Sequence, residues 1–200
     1  MAYKIDRLYV VAGPRSCGKS TFLENSAARI DAKSLPVPLQ RIVADPPKLI
    51  EAYQMESHKG RQLGDIRLHV DLITPLDFVK GFSIENYDKF ITNKMYTNWK
   101  ALECIHYAKE VHFLTLFLSR QELFRRWLTR VIKSGEHHVR KNVVTIYGDS
   151  TDDAAPLRTL YQAWSDFVET FQHHGHSSLD VRESSYRYHP VFSPDLITDK

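Results

Sequence analysis

Cysteine is scarce in this sequence, and the scarcity limits both the protein class and the compartment. The 200 residues include only Cys17 and Cys104, too few for the disulfide framework that stabilises small secreted domains. No apolar run reaches the length of a membrane span. The first residues also lack the apolar stretch of a signal peptide. We therefore expect a cytoplasmic protein without a membrane span.

An excess of charge is also nearly absent. The chain has 27 Lys and Arg residues against 24 Asp and Glu residues, which gives a formal net charge of +3. Because no long basic tract is present, a few arginines gathered around a phosphate explain this excess better than a nucleic-acid partner does. We expect no nucleic-acid partner, and the oligomeric state stays open.

Repeats, low-complexity segments and linkers are missing as well, so a single domain over residues 1–200 is predicted. Apolar segments predict strands at 8–12, 66–73, 111–118 and 179–182, with 143–147 as either a fifth strand or an extended loop. Helical spacing of apolar residues predicts helices at 19–30, 87–106, 120–132 and 156–171. The alternation of the two predicts an α/β fold, with a mostly parallel central sheet flanked by helices.

Prolines interrupt the segment from 32 to 64, and its structure is ambiguous in the sequence. An edge strand near 37–42 and a segment that covers the substrate are the two alternatives. A short helix is expected at 49–55.

The loop after the first predicted strand carries the strongest motif. Residues 13–20 read G-P-R-S-C-G-K-S and match the pattern G-x-x-x-x-G-K-[ST]. Such a loop wraps a phosphate with its backbone N–H groups, and the helix that follows adds the positive end of its dipole. At this spacing Lys19 reaches the β- and γ-phosphates, and the Ser20 hydroxyl can bind Mg²⁺.

This stretch resembles the Walker A motif of the P-loop NTPase superfamily. The resemblance implies a three-layer P-loop fold that binds ATP or GTP with Mg²⁺. Guanine-binding GTPases carry an N-K-x-D motif, and residues 93–96 have tyrosine in place of its aspartate, which favours ATP. The expected nucleotide-binding residues of the loop are Gly13, Pro14, Arg15, Ser16, Cys17, Gly18, Lys19, Ser20 and Thr21. We interpret Cys17 as a spacer whose pKa the helix N-terminus would lower, which would make the site sensitive to oxidation or alkylation.

Asp71 is an acid at the end of an otherwise apolar predicted strand, where α/β folds place their ligands. Two roles are open: a ligand of Mg²⁺, or a group that orients and deprotonates an acceptor hydroxyl. His69 would share its face, either as a partner of Asp71 or as a core histidine.

Four arginines follow the most apolar strand, at positions 120, 125, 126 and 130, and three of them, Arg120, Arg126 and Arg130, are candidates for the site. The segment is similar to the arginine-bearing lid helix of nucleoside and small-metabolite kinases. That similarity implies that one or more of these three stabilise the charge of phosphoryl transfer, with Arg126 and Arg130 as catalytic candidates and Arg120 as a nucleotide-binding candidate; which of them acts at the phosphates stays open. The histidines at 137, 138, 173, 174 and 176 lack the cysteine or acidic companions of a zinc site, and we expect them in loops.

The sequence as a whole predicts a kinase-type phosphotransferase. Lys19 and Asp71 are its catalytic candidates together with the arginines, and Ser20 and Asp71 are its metal ligands. The acceptor would be a small hydroxyl compound or a glycan precursor, bound near residues 74–81. Residues 14–16, P-R-S, are similar to the loop of sulfotransferases that bind phosphoadenylyl sulfate, which is one alternative. A nucleotide-binding module that regulates a partner without catalysis is the other.

Overall fold

Six strands form one sheet in the part of the chain that the computed structural model describes. Those residues are 3–14, 16–24, 30–72, 102–134, 155–171, 175–181 and 186–197. The strands are β1 (Lys4–Pro14), β2 (Lys48–Glu51), β3 (Gln62–Leu72), β4 (Ala108–Phe117), β5 (Gly175–Asp180) and β6 (Arg187–His189). Their order across the sheet is β2-β3-β1-β4-β5-β6. All neighbouring pairs are parallel except β5 and β6. The predicted α/β fold with a mostly parallel sheet is confirmed.

The described residues also form four α-helices: α1 (Lys19–Glu24), α2 (Val37–Ala44), α3 (Arg120–Ser134) and α4 (Ala155–Glu169). Short 3-10 helices lie at Ala32–Ser34, Ala52–His58, Glu103–Tyr107 and Pro194–Leu196. None of the helices in the described ranges is long and apolar enough to cross a membrane.

The centre of the sheet follows directly from its apolar sequence. Every residue of β1 from Leu8 to Pro14 is buried, as expected of a parallel strand covered on both faces. Helix α4 packs against β4 through two side-chain hydrogen bonds. Tyr161 Oη donates to the Leu116 carbonyl at 2.7 Å, and Trp164 Nε1 donates to Thr115 Oγ1 at 2.9 Å. These bonds satisfy the polar ends of two buried aromatic side chains.

Segment 32–64 differs from its prediction. Instead of an edge strand near 37–42 there is the helix α2, because prolines fit the first turn of a helix. Pro36 is its N-cap, Pro38 lies in its first turn, and Leu39 and Ile42 share its buried face. The helix predicted at 49–55 is also wrong, since β2 occupies Lys48–Glu51 and a 3-10 helix follows it.

The other boundaries moved for identifiable reasons. β5 begins four residues before the predicted strand at 179–182, because the serines at 177 and 178 are small enough to be buried in it. His176 therefore lies in a strand and not in the predicted loop. The first helix was predicted at 19–30, but Ile30 is not helical, and α1 has the bounds Lys19–Glu24. Two predictions fall on residues that the structure does not describe. They are the strand at 143–147 and the part of the helix 87–106 that precedes residue 102.

The strand connections change direction between two neighbouring strands, β1 and β4. After β1 the chain crosses β3 to reach β2, whereas after β4 it continues in the opposite direction to β5. Adjacent parallel strands whose connections leave in opposite directions open a crevice beyond their carboxyl ends, and α/β folds bind ligands there. Residues 16–18 follow β1 and helix α3 follows β4, so both lie where a ligand crevice is expected.

Candidate functional site

The loop between β1 and α1 depends on two glycines for different reasons. A Cβ atom on Gly13 would lie 2.5 Å from Cys17 Sγ and 3.0 Å from the Leu116 carbonyl oxygen, so only glycine permits this close approach. Gly18 has a φ of +106°, which a residue with a side chain adopts only under strain. The first part of the loop is closed by a hydrogen bond from the Cys17 N–H to the Pro14 carbonyl at 3.1 Å.

Ser16 adds an unusual backbone conformation to the same loop. Its φ is +70°, and it is the only non-glycine residue with a positive φ in the described ranges. Its hydroxyl oxygen is buried and has no hydrogen-bond partner in the described part of the chain. Left-handed backbone and an unsatisfied buried polar atom are both costly, and such features concentrate at functional sites.

The ammonium group of Lys19 lies at the centre of the site. Its Nζ atom donates to the carbonyl oxygens of Gly13 at 2.7 Å and Pro14 at 3.0 Å. It also forms an ion pair with Asp71 Oδ1 at 2.6 Å. Cys17 Sγ lies 3.9 Å from the same nitrogen. The structure therefore places the ammonium of Lys19 in direct contact with the strand-end acid Asp71.

Asp71 reaches this position through strand register. β3 lies next to β1, and Asp71 is the residue paired with Gly13 across the two strands. The strand brings the carboxylate to the level at which the loop begins. The Asp71 side chain is 46% exposed, whereas that of Lys19 is 8% exposed, so solvent can reach the carboxylate.

Arg126 connects helix α3 to the loop from the other side. Its Nη1 donates to the Cys17 carbonyl oxygen at 2.8 Å, and its Nη2 donates to the carbonyl of Val181, just after β5. Its Nε donates to Glu122 Oε1 at 2.5 Å. Glu122 also receives two hydrogen bonds from the more exposed Arg125. The guanidinium of Arg126 is thus directed at main-chain oxygens of the loop and of the sheet end.

The other predicted site residues differ in burial, and some of them lie outside the described residues. Arg120 begins α3 and is buried. Ser20 and Arg130 are exposed, and Thr21 is half-buried in α1. Arg15 lies outside the described residues, as do residues 74–81, where the acceptor was expected.

The expectation for the Cys17 thiol is wrong. Cys17 is completely buried, and this burial raises the pKa of its thiol, although the nearby Lys19 acts in the opposite direction. Desolvation disfavours the thiolate more than the loop environment favours it. Cys17 is therefore a packing residue beneath the loop, in close contact with Gly13.

Burial makes the side chains of His69 and His176 weak bases. Burial, reinforced by the charges of Arg67 and Lys19, lowers the pKa of His69 to about 4, so His69 is neutral at pH 7 and a weak base. His176 Nε2 lies 3.0 Å from Thr115 Oγ1, and burial lowers its pKa to about 4 as well. No group of three His, Cys, Asp or Glu residues in the described ranges is arranged to hold a metal ion.

Magnesium nevertheless fits the donors that are present. The Ser20 hydroxyl and the Asp71 carboxylate are hard oxygen ligands. Mg²⁺ in nucleotide sites commonly takes only one or two protein ligands and completes its shell with phosphates and water.

Glu122 and Val181 hold Arg126 beside the loop, and the sequence did not predict either of them as part of the site. Glu122 and Arg126 are four residues apart on a helix, a spacing that favours an ion pair, so a signal was present. Val181 acts through its main-chain carbonyl, which leaves no trace in the residue type.

No protein-family model matches this chain, and no curated protein matches its sequence. The geometry of the loop and its neighbours is therefore what supports a function.

Proposed function

We propose that this chain is an ATP-dependent P-loop phosphotransferase of the small-molecule kinase type, with the three-layer P-loop fold. It would transfer a phosphoryl group from ATP, bound with Mg²⁺, to the hydroxyl of a small molecule or glycan precursor. The observation that carries the proposal is the position of Lys19. Its ammonium is enclosed by a loop with two left-handed residues and lies 2.6 Å from an acid on the adjacent strand.

The roles of the residues follow from the charge that develops during phosphoryl transfer. Negative charge spreads over the oxygens of the transferred group, so catalysis depends on positioned donors. Lys19 and the loop N–H groups would hold the β- and γ-phosphates, with Ser20 and Asp71 as the residues that would hold Mg²⁺. Bound magnesium would neutralise part of the phosphate charge.

Asp71 has the second possible role of accepting the proton of the acceptor hydroxyl. Its exposure and its place at the carboxyl end of β3 are compatible with both roles. His69 is a poor alternative base, because its pKa of about 4 leaves little driving force to take a proton from a hydroxyl group.

The arginines of α3 would complete the site. Arg126 is hydrogen-bonded to the loop, and Arg130 lies one helical turn further along. We propose that Arg126 supports the loop that binds the phosphates, and that Arg120 and Arg130 are the candidates for direct contact with them.

The test is phosphoryl transfer from ATP to a panel of sugars, nucleosides and glycan precursors. Wild-type protein should give Mg²⁺-dependent product with at least one acceptor class, and Lys19→Ala should lower the rate about 100-fold or more. Lys109→Ala is the matched control, since that lysine is 77% exposed and is paired with Asp6 at the opposite end of the sheet. Equal activity of Lys19→Ala and wild type would refute the proposal. Metal-independent binding of phosphoadenosine phosphate would favour the sulfotransferase alternative.

A further inference from the structure

The Lys19 ammonium has no hydrogen-bond donor left over in this structure. An ammonium group carries three N–H donors. Three oxygen atoms already surround it within hydrogen-bond distance, those of Gly13, Pro14 and the Asp71 carboxylate. A phosphate oxygen that accepts a hydrogen bond from Lys19 must therefore replace one of these three acceptors.

Asp71 is the acceptor that can be replaced most easily. The Gly13 and Pro14 carbonyls belong to β1 and to a loop so tightly packed that Gly13 cannot accept a Cβ atom. Moving either carbonyl would disturb the contact with Cys17 beneath the loop. The Asp71 side chain is 46% exposed, and water can solvate its carboxylate once the lysine has turned away.

Replacing Asp71 creates an electrostatic problem that a cation solves. Once Lys19 pairs with a phosphate, the Asp71 carboxylate stands beside a polyanion without its closest positive charge. Like charges at such short range repel strongly in a partly buried site. A divalent cation between the carboxylate and the phosphates removes this repulsion, because both are ligands that Mg²⁺ prefers.

We propose that the Lys19–Asp71 ion pair is a latch that makes polyphosphate binding at this loop depend on a divalent cation. The metal-free polyphosphate takes Lys19 from Asp71 and brings no cation in exchange, whereas the metal complex brings one. The ion pair thus selects the metal complex over the free anion, and it positions Lys19 at the loop before the ligand arrives. This inference rests on the proposed phosphate site but adds a role for Asp71 that is exerted in the absence of the metal.

The latch predicts an effect that a simple metal ligand would not produce. Loss of a carboxylate that only binds metal weakens binding of the magnesium complex, and relief of charge repulsion strengthens metal-free binding equally in Asp71→Asn and Asp71→Ala. The latch adds a further gain in Asp71→Ala, which removes the acceptor for Lys19 as well as the charge. Loss of a latch strengthens metal-free binding, because the competitor for Lys19 has been removed. Coupling between two sites in a protein usually changes an affinity by a factor of about 5 to 150. We expect the ion pair to change the affinity for metal-free polyphosphate on this scale.

The experiment is calorimetric titration with inorganic tripolyphosphate, in excess EDTA and in Mg²⁺. This probe has no base, so the choice between ATP and GTP does not enter. We compare wild type with Asp71→Asn and Asp71→Ala, because an asparagine oxygen still accepts from Lys19 and an alanine cannot. Asp65→Asn is the matched control: it lies on the same strand, is 38% exposed and is paired with Arg7 at the amino end of the sheet.

We expect Asp71→Ala to bind metal-free tripolyphosphate about tenfold or more tightly than wild type, with Asp71→Asn between the two. The gain in affinity from Mg²⁺ should shrink in both variants, and Asp65→Asn should behave as wild type. If Asp71→Ala binds metal-free tripolyphosphate no more tightly than Asp71→Asn does, while wild type still binds the magnesium complex, the latch is wrong and the phosphate site stands. If no protein binds tripolyphosphate under either condition, the proposed function and the latch both fail.

Discussion

Arg126 Nη1 lies 2.8 Å from the carbonyl oxygen of Cys17, so the helix that follows β4 is hydrogen-bonded to the loop that follows β1. The same guanidinium donates to the carbonyl of Val181 beyond β5. One side chain therefore joins three segments at the carboxyl edge of the sheet. It lies beyond the carboxyl ends of the strands, where α/β folds of this strand order bind their ligands.

Removing this guanidinium should loosen the loop. Arg126→Ala leaves two carbonyl oxygens without their donor, and we expect the free energy of unfolding to fall by about 1 to 3 kcal/mol. Arg126→Lys should restore part of the loss, because an ammonium can replace one of the hydrogen bonds. Denaturant unfolding at equilibrium measures both changes.

Arg125→Ala is the control for this prediction. Arg125 also pairs with Glu122, but its side chain is 69% exposed, and exposed ion pairs contribute about 1 kcal/mol or less. Equal destabilisation by Arg125→Ala and Arg126→Ala would contradict the bridging role.

Gly13 should not tolerate any side chain. In Gly13→Ala the new methyl group would lie 2.5 Å from Cys17 Sγ, closer than real Cβ contacts, and 3.0 Å from the Leu116 carbonyl oxygen, closer than most of them. We expect a loss of about 1 to 3 kcal/mol in stability, measured by denaturant unfolding. Cys17→Ala in the same chain should recover part of this loss by removing the sulfur atom.

Gly175→Ala provides the comparison for Gly13→Ala. A Cβ atom there would lie 3.7 Å from His112 Nδ1, an ordinary contact. This variant should therefore retain wild-type stability within about 0.5 kcal/mol. Similar losses at the two glycines would mean that close approach to Cys17 is not the reason for Gly13.

Both cysteines should be unreactive in the folded protein. Cys17 and Cys104 are fully buried, and burial raises the pKa of each thiol, that of Cys104 to about 12. A colorimetric thiol reagent at pH 8 should titrate no thiol in the native state and two in denaturant. Rapid modification of Cys17 in native protein, absent from Cys17→Ser, would restore the sequence-based expectation of a reactive loop cysteine.

His69 should make stability depend on pH. Its pKa is lowered from 6.5 to about 4 in the folded state, chiefly by burial, so the unfolded chain binds a proton more readily. Stability is therefore complete above the unfolded pKa and is lost as the pH falls from about 6.5 towards 4. We expect His69 to contribute a loss of about 2 kcal/mol between pH 7 and pH 5.

The variant His69→Leu tests this pH dependence. Its unfolding free energy should change less over that interval than that of wild type, as measured by denaturant titration at each pH. Parallel pH profiles of the two proteins would contradict a neutral, buried His69.

The sequence predicted the central strands because their short apolar runs are typical of strands that are buried on both faces of a sheet. It placed β1, β3, β4, α3 and α4 within a few residues of their observed bounds. It failed at α2, where prolines that fit a first helical turn were interpreted as breaks. It also failed at the start of β5, where buried serines conceal a strand, and it did not predict β6.

The sequence identified candidate residues of the site, but not the contacts between them. Lys19 and Asp71 were identified by residue type and position, but their direct ion pair depends on the adjacency of β1 and β3. Sequence carries no local signal for that adjacency. The contacts of Arg126 were also beyond sequence analysis, because its partners are main-chain oxygens. The thiol of Cys17 was misjudged because burial outweighs the nearby positive charges.

The most direct test of the proposed function is a thermal-shift panel on wild type and Lys19→Ala. The ligands are ATP, GTP, their non-hydrolysable analogues and phosphoadenosine phosphate, each with and without Mg²⁺. A ligand that binds only the folded state raises the melting temperature by mass action. We predict a rise with ATP that requires Mg²⁺ in wild type and is absent in Lys19→Ala. An equal rise in both proteins, or none in wild type with any triphosphate, would contradict a phosphate site built around Lys19.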